Sequence, residues 1–190
     1  MIDKEIRSFA LNEFRVDSDE GKPPKMHGHA AIFNSLSEDL GGFRERIAPG
    51  AFTKTLESSD IRALFNHDSN IVLGRNKSGT LRLSEDETGL AIEIDPPDTQ
   101  AARDLIVSMG RGDINQMSFG FVTILDNWAN VGNEWIRTLL EVDLFDVSPV
   151  TYPAYISTDI AVRSMAEAIK LEIPDNMYMI DLMKRKLKLI

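Results

Sequence analysis

The sequence predicts a mainly β (α+β) domain, arranged as a mostly antiparallel β-barrel with peripheral helices. Many short segments of alternating apolar and polar residues follow one another, and Gly, Pro, Asp and Asn separate them. Only one segment carries a full set of helix signals. The chain has 190 residues, of which 43% are hydrophobic and 27% charged. This composition is typical of one globular domain with a sizeable core.

The predicted strands follow one another along most of the chain. Residues 1–16 alternate loosely and form an N-terminal strand or arm, which a polar turn containing two prolines ends. Further strands are expected over residues 27–33, 43–47, 61–67, 71–77, 81–84, 90–94, 117–125 and 134–147. The last two are joined by a turn predicted at residues 127–133.

Helices are expected in three places. Residues 51–58 form a short helix, and residues 99–109 form the clearest one, which Asp98 or Thr99 can cap and Gly110 ends. Residues 164–190 are a helical, basic tail that follows a domain of residues 1–163. The basic residues of this tail suggest docking on an acidic partner or removal of the tail, and a solvated helix end is the alternative interpretation.

The charge and the residue inventory exclude several function classes. A net charge of -9 argues against nucleic acid and against an anionic membrane surface as partners. The absence of cysteine excludes disulfides, thiolate nucleophiles and cysteine-ligated zinc. Neither a signal peptide nor a membrane-spanning apolar run is apparent in the sequence.

Ser118 is the candidate nucleophile. In an extended segment Met117–Phe121, Ser118 and Gly120 share one face and the large side chains share the other. The small pair leaves room for the backbone of an extended substrate, so Gly120 is a candidate substrate-binding residue. Its neighbour Phe119 is the second candidate. A serine that serves only the strand's structure is the simpler alternative.

A serine nucleophile needs a base, and the base needs an acid that orients it. His67 ends an apolar segment and precedes a polar loop, and an imidazole titrates in the range that suits a general base. Glu141 and Asp143 share one strand face, whereas Asp146 lies on the other unless a bulge intervenes. A loop histidine and solvent-facing carboxylates are the alternative interpretation.

A metal site is not predicted. His27 and His29 have a spacing that can ligate a metal from one strand face, but no third ligand is evident. A polar strand face is the simpler explanation, and no cofactor is expected.

The chain resembles the tailed-phage prohead proteases, which are serine peptidases of procapsid maturation related to the herpesvirus assemblin proteases. The resemblance covers residues 28–163, and several segments in order carry it: Gly28–Asn34, Glu45–Phe52, Ala63–Asp68, Leu73–Arg75, Met117–Phe121 and Glu141–Tyr155. It implies a closed barrel like that of the herpesvirus proteases, with helices around it. It also implies His67 as base, Ser118 as nucleophile and Glu141 as acid, with Asp143 and Asp146 as alternatives.

The resemblance also implies a biological role. Such an enzyme acts inside the procapsid in the host cell cytoplasm, where it cleaves a scaffold protein or the scaffolding arm of the major capsid protein, and also itself. The resemblance suggests that the tail of residues 164–190 contacts the scaffold or is removed by this self-cleavage. A homodimer is expected by analogy with the herpesvirus branch. Two other functions remain open: a non-catalytic β-barrel module that binds scaffold or capsid protein, and an esterase that acts on small acyl groups.

Overall fold

A computed structural model describes residues 4–10, 15–17, 24–152, 165–166 and 169. The chain divides into two compact units, Met1–Ile156 and Ser157–Ile190. The predicted boundary at residue 163 stays a prediction. Apart from residues 165, 166 and 169, the predicted tail of residues 164–190 lies outside the described residues.

Strands dominate the described residues, which confirms the mainly β class. Within residues 24–152 there are two α-helices, α1, Thr53–Ser58, and α2, Gln100–Gly110. The strands are β1 Glu5–Ala10, β2 Arg15–Asp17, β3 Lys25–Ile32, β4 Phe43–Ile47, β5 Arg62–Phe65, β6 Asp68–Arg75, β7 Leu81–Glu85, β8 Gly89–Ile94, β9 Gln116–Val131 and β10 Glu134–Val150.

The strands form two open sheets. The larger has the order β1-β9-β10-β5-β6, and β4 also pairs with β10. The smaller has the order β2-β3-β8-β7. Most neighbours are antiparallel, but β4 and β5 each pair with β10 in parallel. Within the described ranges the strand pairing closes neither sheet, so the closed, herpesvirus-protease-like barrel stays a prediction.

The apolar core combines side chains from both sheets. On β9, Met117, Phe119 and Phe121 are fully buried, as the alternation predicts. The Phe119 ring meets the Phe52 ring edge-on, with centroids 5.7 Å apart. Burying one such aromatic side chain stabilises the fold by about 1.5–3 kcal/mol. The core therefore fixes which face of β9 remains for a site.

The two helices lie close to their predicted positions. The Thr99 hydroxyl accepts a hydrogen bond from the Ala102 N–H at 3.3 Å and so caps α2. Ala102, Leu105 and Met109 are buried, and the helix ends at Gly110. No helix in the described ranges is both long and apolar enough to cross a bilayer.

The connection between β9 and β10 is shorter than predicted. The sequence indicates a polar turn over residues 127–133, but the strands continue to Val131 and resume at Glu134. Gly132 and Asn133 form the turn and have φ angles of 62° and 72°, the left-handed values that a two-residue hairpin turn requires. Asn127 and Asn130, which precede the turn, are exposed polar residues of β9, which is why this segment suggests a loop.

A buried ion cluster ties β1 to the larger sheet. Arg7 donates hydrogen bonds to Glu5 at 2.7 Å and to Glu45 at 2.8 Å. Arg137 donates to the same two carboxylates at 2.8 and 3.0 Å. All four side chains are at most 3% exposed. Burial alone would raise the pKa of Glu5, but the hydrogen bonds and charges of the two guanidinium groups lower it. These charges are stable inside the protein because they satisfy one another.

Candidate active site

His67 lies in a two-residue turn between β5 and β6. Asn66 and His67 have φ angles of 53° and 58°, so both adopt the left-handed conformation. The Asn66 N–H donates to the Pro149 carbonyl at 3.0 Å, and its side chain exchanges two hydrogen bonds with Thr151. The turn is thereby fastened to the end of β10, which fixes the direction of the imidazole.

Ser118 meets the imidazole from β9. Its Oγ lies 2.7 Å from His67 Nε2, and it also donates to the Arg7 carbonyl at 2.9 Å. Ser118 is fully buried, whereas the side chain of His67 is 14% exposed. The single hydroxyl proton therefore has two acceptors within reach, one of them the imidazole.

Asp146 occupies the other side of the imidazole ring. His67 Nδ1 lies 2.5 Å from Asp146 Oδ2, which also accepts a hydrogen bond from Ser148 Oγ at 2.9 Å. The structure thus brings a hydroxyl, an imidazole and a carboxylate into one line. In this arrangement the carboxylate can hold Nδ1 protonated and leave Nε2 free to take a proton.

A β-bulge determines which face of β10 carries Asp146. Leu144 pairs with Phe121 and Asp146 pairs with Gly120, so Phe145 is an extra residue on β10. With strict alternation, Asp146 would lie on the same face as Leu144, which is opposite to the face of Ser118. The bulge resets the alternation, and Asp146 joins the Ser118 face.

A lysine partner keeps Asp146 charged. The ammonium of Lys4 forms an ion pair with Asp146 Oδ1. Burial would raise the pKa of Asp146, but the hydrogen bonds from His67 and Lys4, together with their charges, outweigh burial and lower it. The group is therefore a carboxylate at neutral pH.

The other two candidate acids contact α1 and its C-terminal end. Glu141 Oε2 lies 2.6 Å from Lys54 Nζ, and Asp143 Oδ1 accepts hydrogen bonds from Ser59 at 2.8 Å and from Thr55 at 3.2 Å. Of the three candidate acids, the structure brings Asp146 to His67 and neither Glu141 nor Asp143, and the identity of the catalytic acid stays a prediction. The bulge beside Asp146 leaves no signal in the sequence alternation.

The predicted substrate-binding residues have other contacts in this structure. The Phe119 ring lies in the core, with its centroid 4.9 Å from that of Phe121. Lys4 and Asp146 fill the space over Gly120: a Cβ there would lie 2.3 Å from Lys4 Cε. Substrate contact by Phe119 and Gly120 stays a prediction.

The sequence matches the family model described as caudovirus prohead serine protease over residues 12–171. The chain belongs to this family. No curated protein and no solved structure gives a significant match. Membership confirms the resemblance stated above and supports the serine protease class for the domain that carries Ser118.

Three contacts of this prohead protease domain escape sequence reasoning. Ser148 could have been found, because it lies two residues after Asp146 and so shares its face. The Arg7 carbonyl and the Lys4 ammonium come from the N-terminal strand region, far from the motif residues in sequence. Only the pairing of β1 with β9 brings them near Ser118, and one sequence does not specify strand pairing.

The two N-terminal histidines each have a carboxylate partner. His27 Nδ1 lies 3.2 Å from Asp17 Oδ2, and His29 Nε2 lies 2.8 Å from Asp86 Oδ2. In the part of the chain that the structure describes, no group of three or more His, Cys, Asp or Glu residues could hold a metal ion.

Proposed function

We propose that this protein is the serine endopeptidase of procapsid maturation, with Ser118 as nucleophile, His67 as general base and Asp146 as orienting acid. One observation carries this assignment: two consecutive short contacts, Ser118 Oγ to His67 Nε2 at 2.7 Å and His67 Nδ1 to Asp146 Oδ2 at 2.5 Å. A serine nucleophile needs these contacts, because its hydroxyl is a weak nucleophile until a base removes the proton.

The reaction begins when the Ser118 hydroxyl turns from the Arg7 carbonyl toward His67. Oγ attacks the peptide carbonyl carbon while its proton passes to Nε2, and Asp146 stabilises the resulting imidazolium. The imidazolium then protonates the leaving amine, the peptide C–N bond breaks, and an acyl-enzyme ester remains on Ser118. His67 next takes a proton from water while the water oxygen bonds to the acyl carbon. The bond from that carbon to Ser118 Oγ then breaks, and the imidazolium returns the proton to Oγ, which releases the acid product and restores the serine.

Asp146 replaces Glu141 as the acid in this proposal. An acid that orients a histidine must touch the ring nitrogen remote from the nucleophile, and Asp146 Oδ2 does so. Lys54 engages Glu141 instead. The bulge at Phe145 accounts for the change, because it moves Asp146 onto the Ser118 face.

Family membership supports the substrates and the place of action. The proposed substrates are the scaffold protein, or the scaffolding arm of the major capsid protein, and the protease itself. The proposed location is the interior of the procapsid in the host cell cytoplasm. Co-expression with the capsid and scaffold proteins of the same phage tests this: the wild-type chain should shorten one of them, and Ser118→Ala should leave both intact.

Covalent labelling tests the nucleophile without knowledge of the substrate. A fluorophosphonate probe should modify the wild-type protein at Ser118. Peptide mass spectrometry identifies the modified residue. Ser118→Ala should abolish labelling, and Ser84→Ala, on β7 of the other sheet, should not. If the wild-type protein stays unlabelled but binds scaffold or capsid protein, the non-catalytic binding module is the correct function.

A further inference from the structure

We propose that Lys4 is a positioning residue of this active site, whose ammonium holds the second carboxylate oxygen of Asp146 and so keeps His67 available as a base. The inference rests on the proposed function. It begins from the ion pair between Lys4 Nζ and Asp146 Oδ1, the oxygen that His67 leaves free.

Strand pairing explains how Lys4 reaches the site. Lys4 directly precedes β1, which runs antiparallel to β9 and places Ile6 opposite Gly120. Because side chains alternate along a strand, Lys4 shares the face of Ser118, and Glu5 faces the opposite side with the buried ion cluster. The cluster therefore fixes the strand, and the strand presents the lysine.

Gly120 leaves the space that the ion pair occupies. A Cβ on this residue would lie 2.3 Å from Lys4 Cε and 2.6 Å from Asp146 Oδ1, so any side chain there would displace the ion pair. Packing over a glycine with a buried carboxylate distinguishes Lys4 from an ordinary surface lysine. Its side chain is 38% exposed, whereas that of Asp146 is 3% exposed.

The charges that face His67 suggest what Lys4 does. Asp146 approaches the ring from β10, and Lys4 lies behind that carboxylate, while Ser118 and Ser148 offer neutral hydroxyls. Asp68, the next residue in the chain, hydrogen-bonds to Asn70. With Lys4 present, its ammonium compensates part of the Asp146 charge. Without Lys4, the whole charge would favour the imidazolium, which cannot accept the Ser118 proton.

The pH profile of fluorophosphonate labelling tests this role. Lys4→Met removes the charge but keeps the length, Lys4→Arg keeps the charge, and Lys25→Met is the matched control because Lys25 pairs with Glu93 on the other sheet. In Lys4→Met the acidic limb of the rate profile should move up by about one pH unit, which is about a tenfold loss of rate on that limb. The rate on the alkaline plateau should change by less than about threefold, because Ser118, His67 and Asp146 are the same in both proteins.

The outcomes separate this inference from the proposed function. In Lys4→Arg and in Lys25→Met, the acidic limb of the rate profile should lie at the same pH as in the wild-type protein. If wild type is labelled at Ser118 but the Lys4→Met profile superimposes on it, Lys4 has no positioning role and the proposed function stands. If wild type is never labelled, both proposals fail. Circular dichroism checks folding; if Lys4→Met does not fold, Lys4→Gln is measured in the same way.

Discussion

Asp146 owes its place in the site to one extra residue in β10. The bulge at Phe145 moves the carboxylate onto the face of Ser118, and Ser148 then fixes it from two residues further along. Sequence reasoning identified His67 and Ser118 as the candidate pair because a serine beside small and large alternating residues and a histidine at a strand end are visible in one sequence. The resemblance puts Glu141 ahead of Asp143 and Asp146, and the residue pattern does not show the irregularity in strand pairing that brings Asp146 to His67.

Neutralising each candidate acid in turn tests this assignment. Asp146→Asn should lower the rate of labelling or peptide cleavage by about 10³–10⁴-fold, because an amide stabilises the wrong tautomer of His67. Glu141→Gln should change the rate by less than about threefold, because Glu141 pairs with Lys54 outside the site. The measurement is the rate constant at neutral pH, and the opposite order would return the role to Glu141.

Ser148 should contribute through the orientation of Asp146. Ser148→Ala removes a buried hydrogen bond to a carboxylate, an interaction worth about 1.5–3 kcal/mol. We expect the labelling rate to fall by about tenfold or more, with Ser118 still the modified residue. A loss of thermal stability without any change in rate would show that Ser148 acts on the fold alone.

At the scale of elements, hydrophobic alternation and cap residues predicted most strands and α2. The sequence did not indicate which strands pair, and the site depends on that pairing. Three adjacent strands of the larger sheet, β9, β10 and β5, supply or adjoin Ser118, Asp146 and His67. The parallel pairing of β5 with β10 and the addition of β1 to β9 depend on contacts between distant segments, which local patterns do not encode.

Replacing either of two glycines by alanine should change the free energy of unfolding, in opposite directions for the two positions. At the start of β8, a Cβ on Gly89 would lie 2.0 Å from the Ala31 carbonyl oxygen, whereas Gly110 in α2 faces open space. Gly89→Ala should therefore cost at least about 2 kcal/mol of unfolding free energy through overpacking. Gly110→Ala should add about 0.5–1 kcal/mol, because alanine is the better helix former. Urea unfolding measures both, and equal signs would contradict the packing.

For the whole molecule, buried carboxylates link stability to pH. The pKa values of Glu5 and Asp146 are lower in the folded protein than the ordinary values of 4.5 and 3.8. Their stabilising contribution is therefore fully present above those ordinary values, and it is lost as the pH falls through the lower folded values. Two carboxyl groups from distant elements thus respond together to acid.

Urea unfolding between about pH 3 and pH 7 tests this linkage. The unfolding free energy of the wild-type protein should decline steeply below about pH 4.5. Glu5→Gln should lower it by about 3–5 kcal/mol at neutral pH, because Arg7 and Arg137 lose a buried partner, and should make the acid decline shallower. An unchanged acid slope in the variant would show that Glu5 carries none of the linkage.

The two-residue turn between β5 and β6 affects when the site can form during synthesis. Only Asn66 and His67 lie between the two strands, so no flexible loop carries the imidazole. Its position therefore depends on the pairing of β5 with β10. A half-formed sheet would leave the histidine and the serine apart. We therefore expect Ser118 of a nascent chain to stay unreactive until β5 has paired with β10.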